Sequence, residues 1–360
     1  MPASKIAFFV TPHGFGHASR SAAVMEALGR RDPEIEFEIV TTVPEWFFAQ
    51  SLSVSHRVRP VTSDVGLVQV DPVLEDLPAT VAALEVFWSA LGDTAHELVH
   101  GWRSAPPRLV VSDISPLGLE VASRLGVPSV LVENFTWDWI YRVYVDAAPA
   151  LGEFARRSAD LTATATHHIQ CEPACRRVDT ATQVGPVSRT ALTTRAKTRR
   201  AVGLDDNDPR ALVLLTMGGM GWGSLVPDLG EEVFLVALGG ASELSREDSI
   251  LWLPDRSPLY PPDLVWAADA VISKLGYSTV AECFGASTRL GYVTRPIFPE
   301  SPVLERFVVE NMTSAEFRPS DLEASDWSRE IEQLLALPRA PEQESSGAEE
   351  IADLLLDLLE

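Results

Sequence analysis

Short apolar runs, bounded by glycine, proline and polar residues, recur along the chain, and most are followed by segments with helical spacing. Ile6–Val10 is the first run, and apolar residues at Ala22, Val24, Met25 and Leu28 predict a helix over Ser21–Arg31. Phe37–Thr42 reads as a second strand and Pro44–Ser51 as a turn and helix, whereas Val58–Asp76 is less regular. Leu77–Trp102 has helical spacing over a long stretch. The alternation continues with a strand at Leu109–Ser112, a helix at Gly118–Leu125 stopped by Gly126, and a strand at Ser129–Glu133. Strands that alternate with helices in this way predict a parallel sheet covered on both faces.

Val184–Ser188 reads as a linker and is expected to act as a hinge; a polar, basic run from Arg189 to Arg200 follows. Strand signals then resume at Ala211–Thr216, Val233–Leu238, Ile250–Leu253, Ala270–Ser273 and Leu290–Val293, with a helix at Thr279–Phe284. A polar linker, Pro338–Gly347, leads into an amphipathic helix, Ala348–Leu359, expected to pack back on a core. A chain of 360 residues exceeds one ordinary compact domain. The expected division is 1–185, 186–337, and a linker with terminal helix at 338–360.

The first strand ends in a turn with unusual chemistry, Pro12-His-Gly-Phe-Gly-His-Ala-Ser-Arg20. Glycines let backbone N–H groups approach a ligand, and a helix start favours negative charge. His13 and His17 add proton-transfer capacity near neutral pH. Ser19 stands where the dinucleotide fingerprint Gly-x-Gly-x-x-Gly needs its third glycine, which argues against a nicotinamide-type site and toward a sugar or nucleotide sugar. Ligands on open parallel sheets bind at the C-terminal strand ends. His17, Asp113 and Asn134 all lie just past predicted strands, so they are expected to converge.

Composition narrows the classes. A net charge of −22 disfavours nucleic acid as a partner. Three cysteines (Cys171, Cys175, Cys283) make no disulfide framework, and Cys171-x-x-x-Cys175 lacks the second pair of a zinc site. No run reaches the length of a membrane span, and no signal-type hydrophobic region precedes the first strand, so a cytoplasmic location is expected. With three lysines among 29 basic residues, Lys274 stands out. Asp206-Asn-Asp208 has the Asp-x-Asp form of metal-dependent transferases, but it sits in a polar loop beside Pro209 and is read as a turn.

Three blocks resemble a known family: Gly14-Phe-Gly-His-Ala-Ser-Arg20; Asn134-Phe-Thr-Trp-Asp-Trp-Ile-Tyr141, preceded by Ser112-Asp113; and Ile272-Ser-Lys-Leu-Gly-Tyr-Ser-Thr-Val-Ala-Glu282, continued by Arg295-Pro-Ile-Phe-Pro-Glu-Ser-Pro302. Their order resembles the N-terminal, glycosyltransferase-like half of plant L-arabinokinase and its free-standing bacterial relatives, over residues 5 to 315. The implied fold is GT-B: α/β, with two Rossmann-like parallel-sheet domains facing a cleft and a C-terminal helix. No kinase activity is implied. The third block also resembles the donor site of the GlcNAc transferase that makes lipid II, and the first resembles a nucleotide-sugar hydrolase of pseudaminic acid synthesis. The Asp-Gln pair that contacts the donor sugar in such transferases is absent, and Pro299-Glu300-Ser301-Pro302 occupies its region.

The resemblance implies a metal-independent glycosyltransferase, inverting, that moves a sugar from a nucleotide sugar to a small acceptor. His17 is the implied base, with Asp113 beside it. Lys274, Gly276, Ser278, Thr279, Glu282 and Glu300, with the glycine loop at Gly218 and Gly219, are the implied donor side. Glu282 would hold the donor ribose. His13, Arg20, Asn134, Trp137 and Asp138 are the implied acceptor side. No metal and no cofactor are expected; the nucleotide sugar, with UDP the first candidate carrier, enters as substrate. A nucleotide-sugar hydrolase or epimerase on the same fold, and a non-catalytic sugar- or nucleotide-binding protein, are the alternatives.

Overall fold

The computed structural model describes residues 4–70, 74–217, 229–295, 297–318, 327–341 and 346–359. The chain divides into two compact units, Met1–Val187 with Gly347–Glu360, and Ser188–Ser346.

The first unit is a doubly wound sheet. Its strands are β1 (Lys5–Val10), β2 (Glu36–Val40), β3 (His56–Arg59), β4 (Leu109–Asp113), β5 (Ser129–Glu133), β6 (His167–Cys171) and β7 (Thr182–Val184). They lie in the order β3-β2-β1-β4-β5-β6-β7, and every pairing is parallel. Helices α1 (Gly16–Arg31), α2 (Glu45–Ser51), α3 (Leu77–Gly101), α4 (Pro116–Leu125), α5 (Trp137–Val143) and α6 (Leu151–Thr162) join them. The central strands are buried along almost their whole length, which is why they read in the sequence as continuous apolar runs. The direction of winding reverses between β1 and β4, so their C-terminal ends open the crevice where such sheets take ligands.

The second unit repeats the plan. Strands β8 (Ala211–Thr216), β9 (Val233–Ala241), β10 (Ser245–Glu247), β11 (Ile250–Pro254), β12 (Ala270–Lys274), β13 (Arg289–Val293) and β14 (Ser314–Glu316) lie in the order β10-β11-β9-β8-β12-β13-β14. Only β10 runs antiparallel to its neighbour. The described helices are α7 (Arg195–Ala201), α8 (Pro261–Ala267), α9 (Tyr277–Gly285), α10 (Ser301–Asn311) and α11 (Ser328–Ala336).

The last helix, α12 (Gly347–Asp357), belongs to the first unit. It packs on α1 and buries Ile351, Ala352 and Leu355 completely. Arg30 and Arg31 both pair with Glu349, Arg31 Nε donates to Asp353 at 2.7 Å, and Arg108 donates to the Leu359 carbonyl. Gly347 is where the chain re-enters the unit. A Cβ there would collide with the Gly185 carbonyl oxygen, so no side chain fits.

The structure departs from the sequence reading in three ways. Helix α1 begins at Gly16 rather than Ser21, which moves His17 and Arg20 from the turn into the first helical turn. Strand β3 takes the start of the region read as irregular, and β6 and β7 have no apolar run to mark them. Helix α9 begins at Tyr277 rather than Thr279, with Gly276 as its N-cap in extended backbone, which puts Ser278 inside the helix.

Candidate functional site

The C-terminal ends of β1, β4 and β5 place four of the sequence-selected residues in one buried cluster. Asp113, the last residue of β4, is at its centre. Arg20 grips it with two bonds, Nε to Oδ2 at 2.9 Å and Nη2 to Oδ1 at 2.6 Å. His17 Nδ1 lies 2.7 Å from Asp113 Oδ1, and the Ser21 hydroxyl donates to Oδ2 at 3.2 Å. Arg20 Nη1 also donates to Asn134 Oδ1 at 2.7 Å, which ties in the residue just past β5. Arg20 is 1% exposed, so this ion pair is fully inside the protein.

The local sequence explains the arrangement. Gly14 takes a left-handed φ of +70°, which turns the chain from β1 into α1. Residues i and i+3 share a helix face, so His17 and Arg20 both face Asp113. Ile114, directly after Asp113, has φ of +51°, a conformation that strains a β-branched residue. Ser115 then caps α4 by accepting from the Gly118 N–H, and its own hydroxyl donates to the Ser63 carbonyl.

Charge sets the chemistry. Burial alone would raise the Asp113 carboxyl, but the charges and hydrogen bonds of Arg20 and His17 outweigh it and hold it at about 2. An ionised carboxylate only accepts, so His17 donates from Nδ1. The 3.1 Å approach of Arg20 Nη2 to that same nitrogen is therefore two donors converging on one carboxylate. With Nδ1 carrying the proton, Nε2 is the ring's basic atom. This fixes the tautomer a general base needs. The edge of Phe135 packs on the imidazole, with ring centres 5.6 Å apart.

The remaining acceptor-side residues part company. Trp137 is buried beside the cluster, stacked on Tyr141 at 5.6 Å and met edge-on by His13 at 5.3 Å. Asp138 takes no part in the cluster. It accepts from the Thr136 hydroxyl and pairs with Arg142 at 3.2 Å and Arg176 at 3.5 Å.

On the second unit, Lys274 closes β12 and Gly276 opens α9, so a cation and a helix N-terminus are adjacent in the chain. Burial, with Arg295 nearby, pulls the Lys274 amine down to about 8. The Arg295 guanidinium lies over the Phe298 ring at 4.0 Å, and its backbone N–H donates to the Ser301 hydroxyl at 3.1 Å. Ser278 and Thr279 fall in the first turn of α9 and are half-buried. Glu282 is buried and accepts from Arg189 Nε at 3.0 Å, a partner the sequence does not suggest. Burial raises its carboxyl, with Arg189 opposing. Glu300 is buried at the N-cap of α10. Gly218 and Gly219 lie outside the described residues. Asp206 and Asp208 are bonded to Arg200 and Arg210, in the turn read from the sequence.

Asp64 carries no signal in the sequence. It lies in the irregular stretch after β3, buried at 2% exposure, and burial raises its carboxyl to about 7. Only the packing of that stretch against β1 and α5 reveals it.

No family model matches the chain. The chain is 29% identical to L-arabinokinase of Arabidopsis thaliana, over 97% of its own length and 34% of the relative's. It thus spans about a third of the curated relative it matches. Among solved structures, the glycosyltransferase SnogD of Streptomyces nogalater superposes with a TM-score of 0.58 at 16% identity, covering 99% of each chain. The calicheamicin glycosyltransferase CalG4 gives 0.59 at 15%, over 99% of this chain and 94% of that one. Phytolacca americana UGT2, solved with UDP-2fluoro-glucose and pterostilbene, gives 0.58 at 12%, over 99% and 100%. The resemblance to L-arabinokinase read from three motif blocks therefore extends along nearly the whole chain, and the fold is the α/β GT-B fold of the glycosyltransferases.

Proposed function

We propose that this chain is a metal-independent, inverting glycosyltransferase that uses a nucleotide sugar as donor. The observation that carries the reading is the His17–Asp113 pair, with its tautomer set by a buried, Arg20-clamped carboxylate. In the step, an acceptor hydroxyl gives its proton to His17 Nε2 as its oxygen forms a bond to the anomeric carbon. The bond from that carbon to the diphosphate oxygen breaks, and the nucleoside diphosphate leaves with the electron pair. Asp113 stabilises the imidazolium that forms and stays ionised throughout. A single displacement of this kind inverts the anomeric centre.

The donor side is assigned to the second unit. Lys274 and the N-terminus of α9 supply positive potential for the diphosphate. Glu282 Oε1 is engaged by Arg189, so the other oxygen is the one offered to a ribose hydroxyl. The curated relative is named as a kinase of arabinose and the solved neighbours as glycosyltransferases, two of which pair UDP or a UDP sugar with this fold. UDP is therefore the first carrier to test.

The test is a thermal-shift panel of nucleoside diphosphates and nucleotide sugars, followed by turnover with the donor so identified. We expect a selective shift by one nucleoside diphosphate, reduced in Glu282→Gln. Glutamine is preferred to alanine there because it keeps an acceptor for buried Arg189. We expect His17→Ala to lower turnover by roughly 10²–10⁴-fold with nucleotide binding intact. Unchanged turnover in His17→Ala would remove the base assignment. Rapid nucleotide release with no acceptor present would transfer the same dyad to water, and so to a hydrolase.

A further inference from the structure

We propose that Arg195, Arg199, Arg210 and Arg289 form an anion site that takes the phosphate or pyrophosphate group of a small ligand. The site lies at the end of the second sheet away from Lys274 and Gly276, and it stands whether or not the chain transfers a sugar.

The sheet brings the four arginines together. Strands β8, β12 and β13 are parallel neighbours, so they start along one edge. Arg210 directly precedes β8, Asp269 directly precedes β12, and Arg289 opens β13. Arg195 and Arg199 lie four apart on α7, which puts them on one helix face. Both reach Asp269, Arg195 Nη2 to Oδ1 at 2.6 Å and Arg199 Nη1 to Oδ2 at 3.4 Å. The four arginines and Asp269 line a solvent-open cavity of about 370 Å³. Small-molecule sites occupy roughly 300–1,000 Å³, so the space suits a compact ligand. Lys274 is at the far end of β12, roughly 16 Å from Asp269 along an extended strand.

Charge carries the argument. The chain as a whole has a net charge of −22, yet this wall is positive. Asp269 is the one carboxylate that lines the cavity among the described residues, and it is shared by Arg195 and Arg199. Its Oδ2 also accepts the Leu212 N–H at 2.9 Å. Asp208 answers Arg210, taking Nε at 3.0 Å and Nη2 at 2.6 Å. Arg289 is held by carbonyls instead: Nε donates to Leu337 at 2.7 Å and Nη1 to Asp269 at 3.1 Å. A carbonyl orients a guanidinium without cancelling its charge. Four guanidinium groups thus meet two paired carboxylates, and positive charge stays in excess even when Asp205, which also acts on Arg210, is counted. Nη1 of Arg210 and Nη2 of Arg289 donate to nothing among the described residues. A network that only tied the strand starts together would balance two carboxylates with two arginines.

The donors select the ligand. A guanidinium is planar, always charged, and presents paired N–H groups that match two oxygens of a phosphate. The bonds to Asp269, Asp208 and the carbonyls already hold these side chains, so less rotamer freedom is lost on binding. A cation would be repelled, and a neutral sugar would leave the excess charge unanswered. The basic run between Arg189 and Arg200 supplies two of the four arginines, whereas Arg189 itself turns to Glu282.

The experiment titrates pyrophosphate, inorganic phosphate, glucose 6-phosphate and citrate into the full chain by calorimetry, in low-salt buffer and without donor or acceptor. It is repeated on Arg195→Gln and Arg210→Gln, with Arg210→Lys as a milder second change, each first shown to melt cooperatively. Lys274→Met reports on the other end of β12. We expect pyrophosphate to bind the native chain with a Kd below about 1 mM. The same event should persist in Lys274→Met, weaken about tenfold in both glutamine variants, and weaken less in Arg210→Lys. Glucose 6-phosphate tighter than inorganic phosphate assigns the site to an organic phosphate, and the reverse order assigns it to the free anion; either keeps the site. No binding of any phosphate to the native chain overturns the proposal. So does binding that is lost in Lys274→Met and unchanged in the arginine variants, and so does citrate binding as tight as that of pyrophosphate.

Discussion

Asp113 and Asp64 are two buried carboxyls of the same unit driven in opposite directions, and the signs make them separable. Asp113 is held at about 2 against an ordinary value of 3.8, so its contribution to stability is present above 3.8 and is lost as the pH falls toward 2. Asp64 is raised from 3.8 to about 7, so the folded state holds its proton more tightly than the unfolded chain does. Its effect is the reverse: stability falls as the pH rises from 3.8 through about 7. Thermal melts of Asp64→Asn should therefore match native near pH 4 and exceed it increasingly up to roughly pH 8, by on the order of a few kcal/mol. A gap that does not grow with pH would show that Asp64 is solvated. Asp113→Asn leaves the buried Arg20 charge without a counter-charge, and urea unfolding at neutral pH should show a loss of about 3–5 kcal/mol. That deficit should narrow as the native protein is acidified. The candidates His17, Asp113 and Asn134 were legible because each follows an apolar strand in an α/β pattern. Asp64 was not, since an aspartate in an aperiodic stretch looks like any solvated loop residue until tertiary packing buries it. The Arg189 partner of Glu282 was equally hidden, being 93 residues away.

At the level of elements, the site depends on how closely α4 lies on β1. Gly118, in the first turn of α4, allows that approach, and a Cβ there would fall 2.7 Å from Phe9 Cβ. That contact is with the root of a side chain on a buried strand, which has little room to move. Gly118→Ala should destabilise the first unit by roughly 1–3 kcal/mol, seen as a lower denaturation midpoint with an unchanged slope. Because Ser115 and strained Ile114 link α4 to Asp113, we also expect His17-dependent turnover to fall. The central strands of both units were readable because strands buried on both faces are continuous apolar runs. Strands β3 and β6 were not, because His56-Arg-Val-Arg59 and His167-His-Ile-Gln-Cys171 carry edge-type polar sequences whose pairing is decided by the neighbouring strand. The start of α1 is hidden for a related reason. Gly16-His-Ala-Ser-Arg20 has no capping side chain and no apolar period, and it is helical because its polar face is buried on Asp113.

At the scale of the whole molecule, the first unit is closed by a helix from the other end of the chain. The ion pairs of Arg30 and Arg31 with Glu349 and Asp353 are part-exposed and add little individually. The fully buried Ile351, Ala352 and Leu355 matter more. Removing residues from Gly347 onward should lower the melting temperature of the first unit far more than Glu349→Ala, which should change stability by less than about 1 kcal/mol. Equal effects of the two changes would mean that α12 docks by charge alone. The discontinuity also bears on how the protein is made. During synthesis, the second unit is complete in sequence before α12 leaves the ribosome, while α1 still lacks its covering helix. The first unit, although translated first, is therefore the last to finish folding, and the apolar stripe on α1 is what a nascent-chain chaperone would meet in the interval.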